Sequence, residues 1–166
     1  DMYKALYINK NPIISTSVES AEMIKYAANS FLALKISFIN EIANLCELVG
    51  ADVHDVTKAM GKSSSISEKY LHPGPGFGGS CFPKDLESLS AISKKNNLLM
   101  ETINAAIKAN KNQKVKMGHK LKKLVGGVLK NKRIAIFGLA FKANTDDIRE
   151  SSSIDIINYI LNQGGK

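Results

Sequence analysis

The sequence predicts a mainly α-helical fold, in which a helical central domain is built around one long helix and is followed by an incomplete, Rossmann-like α/β unit. The first observation is a long stretch, 17–49, that contains neither glycine nor proline. The second is a change of pattern at Arg133, where a short apolar run precedes a polar loop and an amphipathic helical segment. With 44% hydrophobic and 23% charged residues among 166, the composition is that of a globular protein.

The stretch 17–49 predicts one helix that ends at Gly50, because glycine is common just past helix ends. Its length of roughly 30 residues is well above the average of about 11–12. Apolar side chains cover more than one face, so we expect the second face to contact another subunit and the domain to be a dimerisation domain. The alternative is a core helix within one monomer. The apolar stripe comprises Ile24, Ala28, Phe31, Ile42, Leu45 and Val49, with Leu34, Phe38 and Leu48 at its sides.

Three further helices are predicted after the long one. Asp52 is placed to cap a short helix that ends at Gly61, and a second helix begins near 80–83, where a proline fits the first turn. The third covers about 101–125. The Ser-, Gly- and Pro-rich loop 61–80 is longer than the roughly 12–15 residues of an idle connection, which favours a functional loop.

The C-terminal part has the pattern of one strand, a loop and a helix. Residues 133–138, RIAIFG, predict the strand, and SSSIDIINYILNQ predicts the helix. One parallel strand without neighbours does not make a stable sheet, because its backbone groups have no partners. We therefore expect the chain to be cut inside its second domain. The expected division is a connector at 1–16, a central helical domain at 17–130, and the start of an α/β domain at 131–166.

The net charge of +8 comes from one region. Twelve of the 23 basic residues lie within 94–133, where Glu101 is the only acidic residue. A nucleic-acid binder is one interpretation of this region. However, the chain has no tryptophan and only 7% aromatic residues, and its lysines are not interleaved with aromatic side chains that would stack on bases. We therefore expect no nucleic-acid partner.

Other classes of protein are disfavoured by simple counts. Two cysteines are too few for a disulfide framework, and no apolar run is long enough to span a bilayer. The N-terminal DMYKALYINKN lacks the pattern of a signal peptide. The spacing of His54, His72 and His119 is not that of metal ligands. We expect a cytoplasmic protein without membrane contact and without a metal.

The segment GFGGSCFPKDL carries the strongest chemical signal. Its glycines let the backbone approach a ligand closely, and Cys81 falls at a predicted helix start. The helix dipole and Lys84 both favour the thiolate, which is the nucleophilic form of cysteine. Asp85 is a candidate base or a residue that orients a water molecule. The alternative for Cys81 is an inert residue beside a helix cap, and for Cys46, inside the apolar helix, a structural role is favoured.

Three segments in order resemble one family, the nucleotide-sugar dehydrogenases that include UDP-glucose and GDP-mannose dehydrogenases. GFGGSCFPKDL resembles their active-site loop, and SAEMIKYAANSFLALKISFINEIANLCE resembles their central-helix signature. RIAIFGLAFKANTDDIRESSS resembles the opening of their UDP-binding domain. The resemblance covers 17–166, and residues 1–16 are similar to the end of a preceding NAD-binding domain. The SCFPKD form favours the UDP-glucose 6-dehydrogenases, with GDP-mannose dehydrogenases as the nearest alternative.

The resemblance implies a reaction and its catalytic residues. Family members oxidise the primary alcohol at C6 of the sugar to a carboxylate with two NAD per turnover, through a cysteine thiohemiacetal and a thioester. Cys81 matches the cysteine, and Asp85 matches the aspartate that orients the hydrolytic water. Lys25 and Asn29 match residues that stabilise an oxyanion, and their spacing of four puts them on one helix face. Without the resemblance, a solvated surface lysine is the ordinary interpretation of Lys25.

The resemblance also implies binding residues. Cofactor contacts are expected from Lys84 and Arg149. The alternative role for Arg149 is an ion pair with Asp146 or Asp147. Substrate contacts are expected from Tyr70, Leu71, Gly76, Phe77, Gly78, Phe141 and Lys142.

The chain departs from the family pattern at the cofactor site. We expect the chain to contain no G-x-G-x-x-G, the spacing of an NAD-binding turn, and GLAF after RIAIF lacks it. We therefore expect the main NAD site to lie outside this chain, and the 166 residues alone to be inactive. An isolated helical dimerisation module without activity is the alternative class of function.

Overall fold

The computed structural model describes residues 13–166, and within them the protein consists of five α-helices and no strand. The helices are α1 (Val18–Val49), α2 (Val53–Gly61), α3 (Phe82–Lys95), α4 (Glu101–Leu124) and α5 (Ser152–Asn162). The mainly helical fold class is thus confirmed. Most of the predicted connector, 1–16, lies outside the described residues. In this part of the chain, every helix is too short or too polar to cross a membrane.

α1 has the ends that its sequence predicts. The Ser17 side chain caps its start by accepting a hydrogen bond from the Ser20 N–H. At the other end Gly50 adopts a left-handed conformation (φ 75°) and donates its N–H to the Cys46 carbonyl. Glycine takes this conformation without steric cost, so the helix stops at this residue.

The face of α1 that turns inward consists mostly of small and polar side chains. The buried residues of α1 are Ser30, Ala33, Ser37, Ile39, Asn40 and Cys46. Much of the predicted apolar stripe is exposed instead, including Ile24, Phe31 and Leu45. α3 and α4 both pack against α1, and small side chains allow their close approach.

One apolar cluster joins α1, α3 and α4 to the loop that precedes α3. Phe77 of that loop is 8% exposed and takes part in this core. A loop residue that belongs to the core fixes the loop to the helices, since moving it would expose apolar surface. The cluster comprises Ala33, Phe77, Leu86, Leu89, Ile103 and Ala106.

The predicted strand at 133–138 is wrong: in the described residues this segment has no regular secondary structure, and Phe137 is 98% exposed. Its one backbone hydrogen bond within the described residues runs from the Ile134 N–H to the Lys166 carbonyl at 2.8 Å. Just before the segment, the Lys166 N–H donates to the Lys132 carbonyl and the Asn131 N–H to the Gly164 carbonyl, each at 2.8 Å. A strand needs a ladder of such bonds along its length, and one pairing residue does not supply it. The helix predicted after it is confirmed as α5, which packs against α4.

Candidate active site

Cys81 occupies the N-cap position of α3 and is exposed. Its side chain makes no capping hydrogen bond, and its Sγ lies 3.7 Å from the Ser80 Oγ. Pro83 stands in the first turn of α3, where a missing N–H costs nothing. The thiol is therefore accessible, next to the unpaired N–H groups of a helix start.

Asp85 lies one turn into α3 and is fully buried. Asn29 donates to its Oδ2 at 2.6 Å, and the ammonium groups of Lys25 and Lys84 lie 3.5 Å and 3.0 Å from its carboxylate oxygens. α1 supplies Lys25 and Asn29 from one face, and α3 supplies the other two residues. Together with Cys81, whose carbonyl accepts the Asp85 N–H at 2.9 Å, these residues form the Asp85 cluster.

The charges in the Asp85 cluster support one another. Burial raises the pKa of the Asp85 carboxyl, but the hydrogen bond from Asn29 and the charges of Lys84 and Lys25 outweigh it, so the pKa lies below its usual 3.8. The hydrogen bond to Asp85 raises the pKa of Lys84. Asp85 is therefore a carboxylate, while the Lys25 and Lys84 side chains stay 59% and 60% exposed and accessible to a ligand.

The loop before Cys81 packs so closely that two of its glycines have no room for a side chain. A Cβ on Gly78 would overlap the Glu150 carbonyl, and one on Gly79 would lie 2.7 Å from the Phe141 ring. Gly79 also has a φ of +82° and donates its N–H to the Arg149 carbonyl at 2.8 Å. The close contact brings the C-terminal segment against the cysteine loop.

A cleft of about 520 Å³ opens beside Phe82, the residue after Cys81. We call it the Phe82 cleft. Ile36 and Tyr70 give it apolar walls, and Lys69, His72 and Lys142 give it polar ones. Six of the seven residues predicted to contact substrate line it: Tyr70, Gly76, Phe77, Gly78, Phe141 and Lys142.

Leu71 does not line the Phe82 cleft. Its side chain is 2% exposed and lies beside a smaller cavity bordered by α2. Burial anchors the loop at this position. The Leu71 side chain therefore does not reach the cleft to which its predicted substrate contact would belong.

A second cleft, of about 530 Å³, lies at the other end of α1. It is bordered by Cys46, Glu47, Asp52 and Lys120 and contains none of the predicted site residues. We assign the site to the Phe82 cleft, because residues predicted to contact substrate line it together with Phe82, which follows the exposed cysteine in the chain.

Arg149 forms an ion pair with Asp147, the alternative that the sequence left open. Its two guanidinium contacts to that carboxylate measure 2.9 Å and 2.7 Å. The hydrogen bonds from Arg149 lower the pKa of Asp147 to about 2. The same pairing raises the pKa of Arg149, and interaction with Cys81 contributes a smaller part. The Arg149 carbonyl accepts the N–H of Gly79, two residues before Cys81, and the Arg149 side chain remains 68% exposed.

Sequence reasoning missed several residues that hold the loop in place. Lys35 donates to three loop carbonyls, those of residues 66, 67 and 69, at 2.7, 3.2 and 2.6 Å. Gln113 donates to the Gly74 carbonyl, and Asn40 accepts the Gly74 N–H. The only sequence signal for these residues was that polar side chains occur within the helices. Such side chains indicate a hydrogen-bonded contact only when the packing shows that they face inward.

The expectation that the chain contains no G-x-G-x-x-G spacing is wrong. Gly74, Gly76 and Gly79 have the literal spacing G-x-G-x-x-G. They lie in the loop between α2 and α3, after no strand, whereas a dinucleotide-binding turn needs a strand before it and a helix start at the third glycine. The spacing is thus not an NAD-binding turn. Among residues 13–166, no group of three or more His, Cys, Asp or Glu side chains is arranged to hold a metal ion.

Comparison with known protein families gives two matches. Residues 19–112 match the central domain of the UDP-glucose/GDP-mannose dehydrogenase family, and residues 135–166 match the UDP-binding domain of the same family. The two matched regions carry the Asp85 cluster and the C-terminal wall of the Phe82 cleft, respectively.

Individual relatives agree with these matches. The chain is 43% identical to a UDP-glucose 6-dehydrogenase of Rhizobium meliloti, over all of this chain and 38% of the relative. It is 51% identical to UDP-glucose 6-dehydrogenase TuaD of Bacillus subtilis, over 92% of this chain and 33% of the relative. The chain thus spans little more than a third of the curated relatives that it matches.

Solved structures share the fold. A UDP-glucose dehydrogenase of Pyrobaculum islandicum matches with a TM-score of 0.85 and 38% identity, over 89% of this chain and 34% of that one. A UDP-D-ManNAc dehydrogenase of Pyrococcus horikoshii matches with a TM-score of 0.81 and 28% identity, over 98% of this chain and 39% of that one.

Proposed function

Because this chain belongs to the UDP-glucose/GDP-mannose dehydrogenase family, we propose that it forms the cysteine-bearing centre of an NAD-dependent UDP-glucose 6-dehydrogenase. One observation carries the proposal: the exposed Cys81 lies one helical turn before a buried carboxylate that pairs with two lysines, and the next residue, Phe82, lines a cleft whose volume of about 520 Å³ is within the usual range of ligand pockets. The curated relatives named as UDP-glucose 6-dehydrogenases favour UDP-glucose over GDP-mannose as the substrate.

The proposed chemistry begins after the C6 alcohol has lost a hydride to NAD, which supplies the oxidising power when bound. The Cys81 thiolate adds to the resulting aldehyde, a C–S bond forms, and the carbonyl electron pair moves to oxygen. The alkoxide of this thiohemiacetal would lose a hydride to a second NAD, and the electron pair on oxygen would re-form the C=O bond of a thioester. Water then attacks the thioester carbon, the thiolate leaves, and the product is a carboxylate.

Lys25 and Asn29 are the proposed stabilisers of the oxyanions. A side-chain amide has two N–H donors, of which Asn29 uses one on Asp85, and the ammonium of Lys25, with three N–H donors, forms an ion pair with the same carboxylate. The remaining donors are free for an oxygen at C6 of the substrate. Asp85 holds the two groups next to each other on one face of α1.

Asp85 itself is enclosed, which bears on its predicted role. Because the carboxylate is fully buried, the observed arrangement favours an anchoring role over direct contact with the hydrolytic water. We propose that Asp85 orients that water through Lys25 and Asn29, and that direct contact requires the cluster to open.

The Phe82 cleft suits a nucleoside diphosphate sugar. The rings of Tyr70 and Phe82 lie 6.1 Å apart and offer apolar surfaces for a base, and the cations Lys69 and Lys142 are placed for the diphosphate. The sugar would then extend toward Cys81, which precedes Phe82.

The described residues fit a minor part of an NAD site. Lys84 and Arg149 place two exposed positive charges near Cys81, which suits the phosphates of a dinucleotide. With no dinucleotide-binding turn among these residues, the main NAD site is proposed to lie elsewhere in the enzyme. The cytoplasmic location expected from the sequence stays a prediction.

A chimaera tests this function. Residues 17–166 replace the matching segment of the Bacillus subtilis relative TuaD, and NADH formation is measured with UDP-glucose and with GDP-mannose. We expect two NADH per UDP-glucuronate and none with GDP-mannose. Cys81→Ser should abolish acid formation, while the neighbouring Ser80→Ala serves as the control for folding.

The 166 residues alone should form no NADH above the level of Cys81→Ser. Turnover that survives Cys81→Ser would refute the mechanism.

A further inference from the structure

α4 carries two buried polar side chains one turn apart that no step of the proposed reaction uses. Asn110 is 6% exposed and Lys114 is 7% exposed. Residues four apart share a helix face, so both side chains turn toward the same neighbours. Those neighbours are the backbone of the cysteine loop and of the C-terminal segment.

Asn110 satisfies both backbone groups of one loop residue. Its Oδ1 accepts the Phe77 N–H at 2.8 Å, and its Nδ2 donates to the Phe77 carbonyl at 3.0 Å. Phe77 is buried in the core, so these groups would otherwise lack partners at a considerable energetic cost. The side chain thus supplies the pairing that an adjacent strand would give.

Lys114 binds the C-terminal residues that pack against the same loop. Its Nζ donates to the Glu150 carbonyl at 3.0 Å and lies 2.8 Å from the Asp155 carboxylate. Glu150 has a φ of +53°, an unfavourable region for a residue with a side chain. Fixed partners are needed to maintain such a conformation, and Lys114 is one of them.

The two side chains meet at Gly76. A Cβ on this glycine, whose φ is +109°, would lie 3.0 Å from both the Asn110 Oδ1 and the Lys114 Cγ. On the far side of the loop, Gly78 packs against the Glu150 carbonyl. The loop is therefore held between α4 and the segment that Lys114 binds.

We propose that Asn110 and Lys114 are positioning residues, which fix the loop 76–79 against Glu150 and thereby set the position of Cys81 relative to the Phe82 cleft. The catalytic consequence rests on the proposed function. The positioning itself does not, because it concerns only contacts within this chain.

Hydrogen–deuterium exchange on the 166-residue protein tests the positioning. Asn110→Leu and Lys114→Met should each speed exchange in a peptide covering 74–80 by about tenfold, the factor expected for losing one or two net hydrogen bonds. The matched controls are Asn112→Leu and Lys111→Met, the same changes at exposed positions of α4. Lys114→Arg should restore slow exchange.

The buried Cys46 reports on general loosening of the fold. In the positioning variants, exchange in α1 and alkylation of Cys46 should stay at the level of the controls. Unchanged exchange at 74–80 would overturn the proposal. So would faster exchange throughout α1 and α4 with a reactive Cys46, because that pattern belongs to a purely structural role.

The chimaera supplies the catalytic readout. We expect Asn110→Leu and Lys114→Met to raise the KM for UDP-glucose by roughly tenfold while the KM for NAD is unchanged, since the loop borders the substrate cleft. Equal changes in both KM values would contradict a role at the loop. An unsubstituted chimaera without turnover would refute the proposed function alone, because the exchange measurement decides the positioning independently.

Discussion

At the scale of single residues, the Asp85 carboxylate organises the candidate site. Three of the four residues predicted to be catalytic are in direct contact through it, namely Lys25, Asn29 and Asp85 itself. The fourth, Cys81, precedes Asp85 by one helical turn. A buried carboxylate is stable only with such partners, because its desolvation is costly. Because the buried Asp85 carboxylate needs these partners, the groups proposed to act on substrate are brought together.

Replacing Asp85 by asparagine should destabilise the protein by about 1–3 kcal/mol at pH 7, as expected when a buried charged partner is lost. The pKa of Asp85 is lowered by folding, so its contribution is present above the ordinary value of 3.8 and is lost as the pH falls through the folded-state pKa. Urea unfolding at several pH values should thus show a gap between wild type and Asp85→Asn that closes below about pH 4. Asp146→Asn, at an exposed carboxylate, is the control. A gap that stays constant down to pH 2 would contradict the ionised state of Asp85.

At the scale of elements, the loop between α2 and α3 is held by side chains from two helices. Lys35 of α1 binds its first half, and Asn110 and Gln113 of α4 bind its second half. The long loop therefore has a defined conformation without a strand or helix of its own. Its glycines are required where backbone meets backbone, and not throughout.

Gly78→Ala and Gly74→Ala should differ sharply. A Cβ on Gly78 would overlap the Glu150 backbone, which is unable to move like a flexible side chain, so we expect a loss of about 1–3 kcal/mol or more. Gly74 has no atom within 4 Å of a Cβ and has no left-handed φ, so its change should stay within about 0.5 kcal/mol. Thermal unfolding of the two variants measures the difference. Equal stability would mean that the contact between the loop and Glu150 is looser than described.

At the scale of the whole molecule, one face of α1 is left uncovered within the described residues. Four large apolar side chains recur on it every seven residues, each about half exposed or more: Ile24, Phe31, Phe38 and Leu45. Such a row on a 32-residue helix is typical of a surface that another helix covers. We propose that a second copy of this chain covers it, as the sequence predicts.

Phe31→Glu combined with Phe38→Glu should convert the proposed dimer to a monomer at micromolar concentration, because two charges would be buried in the helix contact. Sedimentation velocity measures the change. Phe137→Glu replaces a phenylalanine that is 98% exposed and lies outside α1, so it should leave the dimer intact. A wild-type chain that sediments only as a monomer would exclude this interface.

The sequence by itself determined the helices, their ends and the position of Cys81. α1 ends at the predicted glycine, and Asp52 caps α2 as expected. Helix formation and capping depend on residues within three or four positions of one another, so a local pattern is enough to predict them. The three segments that resemble the family, and their order, could also be recognised from the sequence, because each segment is contiguous.

Only the tertiary structure decided which side of α1 is buried, where the loop is held, and that 133–138 forms no strand. The apolar stripe did not show which face of α1 packs within the chain, because small and polar residues such as Ala33 and Asn40 face the neighbouring helices. Asn110 binds Phe77 across 33 positions of sequence, and Lys114 binds Glu150 across 36. Contacts at such separations depend on how the helices pack, and hydrogen bonds of a strand depend on a partner. Neither is encoded in any local spacing.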